Sequence, residues 1–343
     1  MNPIISTHII IANILSFEHP RSALANQLRD PHFNWDAIVV EGSKQLVLPA
    51  IYCRLKAKNL LNILPTDLVN YLEEITSINR QRNLSILAQV QAISKILKQH
   101  HINHVFLKGT ALLALGCYED NAERMVGDID ILVEKDQVQN AFELLKDSGY
   151  PKTHGFNYET KNFRHLDRLI SDHELAAVEI HSELFKKKHW SIIDVESVLQ
   201  TKMVTDNIPL PNLKYLSLHL ILSWQLNDHG HYYNTCSLKS IYDILAIKMH
   251  KDRRLLDNLL NLKYVQSYFE LAKHYFIDVS EISSNRYMRY RGKCHLLTSR
   301  NRSLQTGLTY LKSTLKFIGN RLHLLFTNTS YLKHIIAHKI LKR

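Results

Sequence analysis

An α+β fold, with a short β-rich block between N- and C-terminal helical regions, is predicted by three observations on this 343-residue chain. Apolar residues recur at helical steps of three and four through much of the first hundred residues and again after residue 213. Between these stretches, Asn103-His104-Val105-Phe106-Leu107 reads as a short strand running into Lys108-Gly109-Thr110 and then a helix-like Ala111-Leu112-Leu113-Ala114-Leu115. Further on, Asp128-Ile129-Asp130-Ile131-Leu132-Val133 is a β-branched run carrying two carboxylates one residue apart.

In chain order, residues 1–100 are expected to be a helical N-terminal region. Helical spacing holds over 36–60 and 67–97, and Pro65-Thr66-Asp67 marks a helix start. The apolar stretch 4–15 lacks a basic leader and is interrupted by His8 and Asn13, so no signal peptide is expected. Residues 101–185 form the predicted core, in which 136–148 is a helix stopped by Gly149 and Pro151. The helical pattern returns over 186–281, through 213–226 and 238–250, and residues 282–343 form a basic helical tail. No run approaches the length of a membrane-spanning helix. Cys53, Cys117, Cys236 and Cys294 are scattered, with no Cys-x-x-Cys, which argues against a zinc knuckle or a disulfide framework and fits a reducing cytoplasm.

The acidic pair carries the chemistry. Side chains alternate faces along a strand, so Asp128 and Asp130 share one face while Ile129, Ile131 and Val133 take the other. Two carboxylates this close disfavour joint ionisation unless a cation lies between them. Carboxylate oxygens suit Mg²⁺ or Mn²⁺, ions that also bind nucleotide phosphates. Upstream, Gly109 lets a phosphate approach the backbone, Thr110 brings a hydroxyl donor, and a helix start supplies free N–H groups and positive dipole. This is not a Walker A loop, which needs Gly-x-x-x-x-Gly-Lys-Ser/Thr. A third carboxylate is found in Leu175-Ala176-Ala177-Val178-Glu179-Ile180-His181, a strand whose polar face holds Glu179 and His181. Asp128 and Asp130 would bridge two cations with Glu179 completing one site, and His181 would orient a neighbour. His165, with Arg164 or Arg168, is placed at the same cleft.

In pattern and order these motifs resemble the uncharacterised nucleotidyltransferase family of the DNA polymerase β-like superfamily. The resemblance covers roughly residues 30 to 250. It runs through Leu-Lys-Gly-Thr, then Arg124 before Gly-Asp-Ile-Asp-Ile-Leu-Val, a helix ending in Gly149-Tyr150, and Val-Glu-Ile-His. A further match is Leu238-Lys239-Ser240-Ile241-Tyr242-Asp243-Ile244-Leu245, similar to a family helix with a basic residue and an aspartate. The resemblance implies a polymerase β-like core, a mixed sheet with helices. It also implies triphosphate contact at Gly109 and Thr110 and metal binding by Asp128, Asp130 and Glu179, and it adds Lys108 and Arg124 as phosphate contacts. Three positions depart from the family pattern: Thr110 replaces serine, the Gly109–Asp128 gap is long for the superfamily, and Ser182 stands where tryptophan is frequent.

Charge is uneven. Of 43 Lys and Arg, the last 62 residues hold 13 but none of the 32 Asp and Glu, so the preceding 281 residues are net −2 within a total of +11. Such a tail attracts polyanions or anionic lipid. Within it Leu308, Leu311, Leu315, Ile318, Leu322 and Leu325 make one apolar stripe, with Lys312, Lys316 and Arg321 elsewhere on the helix. Packing on the preceding domain, RNA binding and a membrane-surface role all fit this pattern. His229 with His231, and His101 with His104, lack the third ligand of a zinc site, and no Gly-x-Ser-x-Gly elbow supports serine catalysis.

The expected activity is metal-dependent transfer of an NMP from ATP or another NTP to an acceptor hydroxyl, where the acceptor is RNA, protein or a small molecule. The alternative is a non-catalytic nucleotide- or RNA-binding module that keeps the fold.

Overall fold

The computed structural model describes residues 3–154 and 165–336. Strands β1 (His104–Phe106), β2 (Asp128–Val133), β3 (Lys152–His154), β4 (Arg168–Ile170) and β5 (Ala177–His181) form one sheet in the order β1-β2-β5-β4-β3. β2 runs antiparallel to β1 and parallel to β5, whereas β4 is antiparallel to both β5 and β3. The sheet is therefore mixed, and with its flanking helices the fold is α+β. A parallel pair needs a crossover, and the helix Val138–Asp147 with β3 and β4 lies in that connection. The helix stops before Gly149, whose φ of 112° is costly for any other residue.

Register places the chemistry. Asp128 lies opposite Ala177, Asp130 opposite Glu179 and Leu132 opposite His181. Because the side-chain period is two, the three carboxylates share one face, and a one-residue slip of β5 would move Glu179 to the other. On that other face Ile129, Ile131 and Val133 are fully buried, each contributing roughly 1.5–3 kcal/mol of apolar transfer. The strand expected over 163–170 is β4 in part, and His165 bridges to His181. Phe163 and Arg164 lie outside the described residues.

The helix Thr66–Gln99 begins just after Pro65, as expected. Its buried stripe runs Leu72, Thr76, Asn79, Asn83, Ile86, Val90, Ile93, Leu97, with polar residues in the middle. Those amides tie down the β1–β2 connection. Asn79 Nδ2 donates to the Ala122 carbonyl (2.7 Å), and Asn83 Nδ2 donates to the Arg124 carbonyl (2.7 Å). Two turns on, Gln89 donates to the Ala176 carbonyl (2.8 Å) and accepts from the Ala176 N–H (3.2 Å), fixing the residue before β5. One helix thus sets both ends of the acidic face.

One expectation is met by two elements, and another needs correction. The periodic stretch 36–60 is two helices, Trp35–Lys44 and Leu48–Ala57, because the backbone turns left-handed at Leu46 with φ 56°. The return to helix after residue 186 is interrupted by a hairpin of Met203–Thr205 with Ile208–Leu210. Its two-residue turn has Asp206 at φ 47° and Asn207 at φ 64°, the signature of a primed turn that matches strand twist.

In the tail the apolar stripe is not the packed edge. In the helix Arg302–Thr327, Leu311 (54%), Leu315 (58%), Ile318 (48%) and Leu322 (49%) are solvent-exposed instead of packed. Lysines face the body instead. Lys312 Nζ lies 6.0 Å from the Tyr232 ring centroid and Lys316 Nζ 5.5 Å from that of Tyr233. The Tyr232 hydroxyl donates to the Lys312 carbonyl at 3.2 Å. Lysine stems cover aromatic surface while the ammonium gains cation–π attraction, and this competes with burial of the leucine stripe.

Asn83→Ala should lower stability by about 2 kcal/mol, because buried carbonyls lose their donor. Urea unfolding checks this; an unchanged midpoint would show that the amide does not hold the β1–β2 connection.

Candidate active site

The acidic face meets the glycine turn through backbone pairing. The Leu107 N–H donates to the Asp130 carbonyl at 2.9 Å, so the end of β1 and the middle of β2 are locked together. The chain then turns into the helix Lys108–Leu115, with Lys108 itself left-handed at φ 52°. The strained position is therefore Lys108 and not the glycine. Gly109 sits in a tight place: a Cβ there would lie 3.0 Å from Val126 Cγ2, so that side chain would have to give way, and in ordinary contact, 3.7 Å, with the Arg124 guanidinium. Thr110 is buried, and its hydroxyl donates to the Leu107 carbonyl at 2.8 Å, bracing the helix start. First-turn N–H groups are those a helix leaves without internal partners.

Asp130 is almost fully buried. The Lys108 ammonium donates to its Oδ1, and His181 Nε2 donates to the same oxygen at 2.9 Å. His181 Nδ1 is left without a partner. Glu179 accepts from Arg168 Nη2 at 2.6 Å, and that nitrogen also reaches Asp128 Oδ2 at 3.0 Å. Arg168 thus bridges two of the three carboxylates, from β4. Ligand atoms of Asp130, Glu179 and His181 lie within 4.8 Å of one another, a group able to hold a metal ion.

These contacts divide the carboxylates. Burial, then the neighbouring Asp130 and Glu179 charges, raise the Asp128 carboxyl above its ordinary range. For Asp130 burial pushes the same way, but the Lys108 ammonium and the His181 hydrogen bond outweigh it and hold the group well below that range. Glu179 is likewise pushed up by burial and held below its ordinary value by Arg168. Burial lowers His181 against the pull of Asp130, which favours a neutral ring with its proton on Nε2. An oxygen-rich donor set containing a carboxylate that ionises reluctantly, with cations borrowed from Lys108 and Arg168, fits a bound divalent cation.

Arg124 sits on the other side of Gly109. Its Nε donates to Asp243, 2.8 Å from Oδ1 and 3.0 Å from Oδ2, and Nη1 donates to the Met125 carbonyl at 2.6 Å. The Tyr118 hydroxyl donates to the same aspartate at 2.7 Å. Arg124, Lys108 and Lys239 then line one cavity of about 330 Å³ with Trp224 and Asp243. Burial and the Arg124 charge lower Lys239, against Asp243, Asp228 and Asp128.

Lys108, Gly109, Thr110, Arg124, Asp128, Asp130 and Glu179, with His181, lie together at this place. Of Arg164 and Arg168, only Arg168 is among the described residues, and it lies at the site. The resemblance points to Lys239 and Asp243 as a helix pair, but the Arg124–Asp243 contact, 119 residues apart in sequence, is tertiary. Asn79, Asn83 and Gln89 were missed, although amides at core positions of a periodic helix were a visible signal.

A mixed sheet that gathers three carboxylates beside a helix start and a cavity lined by Lys108, Arg124 and Lys239 defines the α+β class of the chain. The chain belongs to the uncharacterised nucleotidyltransferase family, whose model matches residues 31–267. No curated protein matches it. Among the described residues no helix is long and apolar enough to cross a membrane.

Asp128 and Asp130 should respond oppositely to neutralisation. A folded-state value raised above the unfolded one favours folding only while the group is protonated, and that contribution is lost as pH rises through the folded value. Asp128→Asn should therefore stabilise the metal-free protein at pH 7. The depressed Asp130 contributes stability above its unfolded value and loses it as pH falls, so Asp130→Asn should cost about 2 kcal/mol at pH 7. Thermal melts in EDTA across pH 4 to 7 compare the two; shifts of the same sign would overturn the assignment.

Proposed function

We propose that this protein transfers a nucleoside monophosphate from an NTP, ATP among them, to an acceptor hydroxyl. The acceptor oxygen forms a bond to the α-phosphorus, the bond from that phosphorus to the β-phosphate oxygen breaks, pyrophosphate leaves, and the hydroxyl proton passes to water. The observation that carries this reading is the convergence of Asp128, Asp130 and Glu179 on the face that adjoins the Lys108-Gly109-Thr110 helix start.

Asp128, Asp130 and Glu179 would hold Mg²⁺ or Mn²⁺, hard cations that prefer such oxygens. When bound, the metal would neutralise phosphate charge and raise the acidity of the acceptor hydroxyl. The chain's own residues do the rest. His181 fixes the Asp130 carboxylate through its Nε2–H, as partners behind metal ligands commonly do. Gly109 and Thr110 would seat the triphosphate through backbone N–H groups, the Thr110 hydroxyl being committed to Leu107. Lys108, whose ammonium balances Asp130 in the metal-free protein, would turn to phosphate once a cation takes that carboxylate. Arg124, oriented by Asp243, presents the rest of its guanidinium beside Gly109, where charge on phosphate oxygens would develop. Catalysis on this reading is positioning and charge neutralisation.

Incubation with each α-labelled NTP in cell extract, with Mg²⁺ or Mn²⁺, should label an acceptor. Asp128→Asn and Asp130→Asn should each reduce that labelling by about 10³-fold while leaving a folded protein. NTP binding without labelling of RNA, protein or small molecules under any of these conditions would instead identify a non-catalytic binding module.

A further inference from the structure

A second cavity, of about 430 Å³, lies where the helix Arg302–Thr327 meets the segment after β5 and the turn region 225–232. That volume suits a ligand of drug or nucleotide size. Lys186, Lys188 and Lys316 line it, and among the described residues its wall contains no carboxylate. The crowding of cations acts on their neighbours. Burial, then Lys316, Lys186 and Lys188, push His229 down to about 4, and burial with Lys188 lowers Lys316. Gathered positive charge in a concave, partly buried wall draws an anion.

An independent observation concerns Gln225. It is 2% exposed and lines the same cavity, yet neither its Nε2 nor its Oε1 has a hydrogen-bond partner. It lies in a π-helical turn, Ser223–Asn227, a rare geometry that recurs at functional sites. A buried amide with nothing to bond costs stability, so its retention asks for a partner that is absent from the free chain. Turned into the cavity, the amide would present a donor and an acceptor side by side, the pattern that matches the edge of a nucleobase. Tyr232 and Tyr264 add ring surface to the wall.

We propose that this cavity binds one nucleotide unit, its phosphate among Lys186, Lys188 and Lys316 and its base edge on the Gln225 amide. A free nucleoside monophosphate and the terminal nucleotide of an RNA strand present the same chemistry. The basic tail then completes a binding site, its lysine edge turned inward for a ligand as well as for Tyr232 and Tyr233. This site shares no lining residue with the cavity at Lys108 and Arg124, so it stands whether or not transfer occurs at the acidic centre.

The test uses the full chain in EDTA, titrated with AMP, GMP, CMP and UMP by calorimetry and with short fluorescein-labelled single-stranded RNA by anisotropy. At least one probe should bind, and Lys188→Ala, Lys316→Ala and Gln225→Leu should each weaken it about tenfold. Gln225→Leu should melt no lower than the wild type, because it removes an unsatisfied amide; if that variant fails to fold, the two lysine variants decide. Asp130→Asn, which disables the acidic centre, should bind as the wild type does. Binding by mononucleotides identifies a free ligand, and binding by RNA alone identifies a strand end. Absence of binding by every probe, binding that the lysine variants leave intact, or binding lost in Asp130→Asn would overturn the proposal.

Discussion

The parallel pairing of β2 with β5 is the constraint on which the rest of the molecule depends. It sets Asp130 beside Glu179 and keeps Asp128 on the same face, concentrating negative charge where burial makes it costly. Everything around that face answers the cost. Lys108 and His181 settle on Asp130, Arg168 spans Glu179 and Asp128, and Asp128 is left as the carboxylate that ionises least readily. A structural role alone would be served better by apolar side chains of similar volume, since buried ion pairs seldom repay their desolvation. Three carboxylates at one place are therefore costly to the fold, and each is offset by a cationic or hydrogen-bonding neighbour or left reluctant to ionise.

That face is held in position from a distance. Asn79, Asn83 and Gln89 place amides of one helix against carbonyls of the β1–β2 connection and of the residue before β5. Core positions usually reward apolar burial, so three buried amides on one helix exchange some of that gain for fixed backbone geometry. The region 213–246 is tied to the same connection through Arg124 and Asp243, with Tyr118 as a third member. A guanidinium so restrained loses little freedom on meeting a ligand, the benefit of preorganisation.

The tail illustrates how composition and placement separate. Its basicity is plain in the sequence, and so is its leucine stripe. Which edge faces inward is decided by Tyr232 and Tyr233, which meet Lys312 and Lys316 and leave Leu311, Leu315, Ile318 and Leu322 in solvent. Four adjacent exposed apolar side chains and a wall of inward lysines are both unusual in a helix that merely packs.

The α+β class, the long helix from Thr66, and the strand–turn–helix at residues 104–115 were legible in the sequence because hydrophobic period and turn residues are local properties. The acidic pair was legible for the same reason: residues two apart on a strand share a face whatever surrounds them. Hairpin 203–210 and the break at Leu46 were not, since they rest on one or two left-handed residues that periodicity does not register. Tertiary structure alone decided that Glu179 pairs with Asp130, that Arg168 bridges the carboxylates, that Arg124 rests on Asp243 and that Gln225 is buried without a partner. Each of these joins or isolates residues across a register or a packing interface, and a linear pattern carries the kinds of side chain available but not which of them meet.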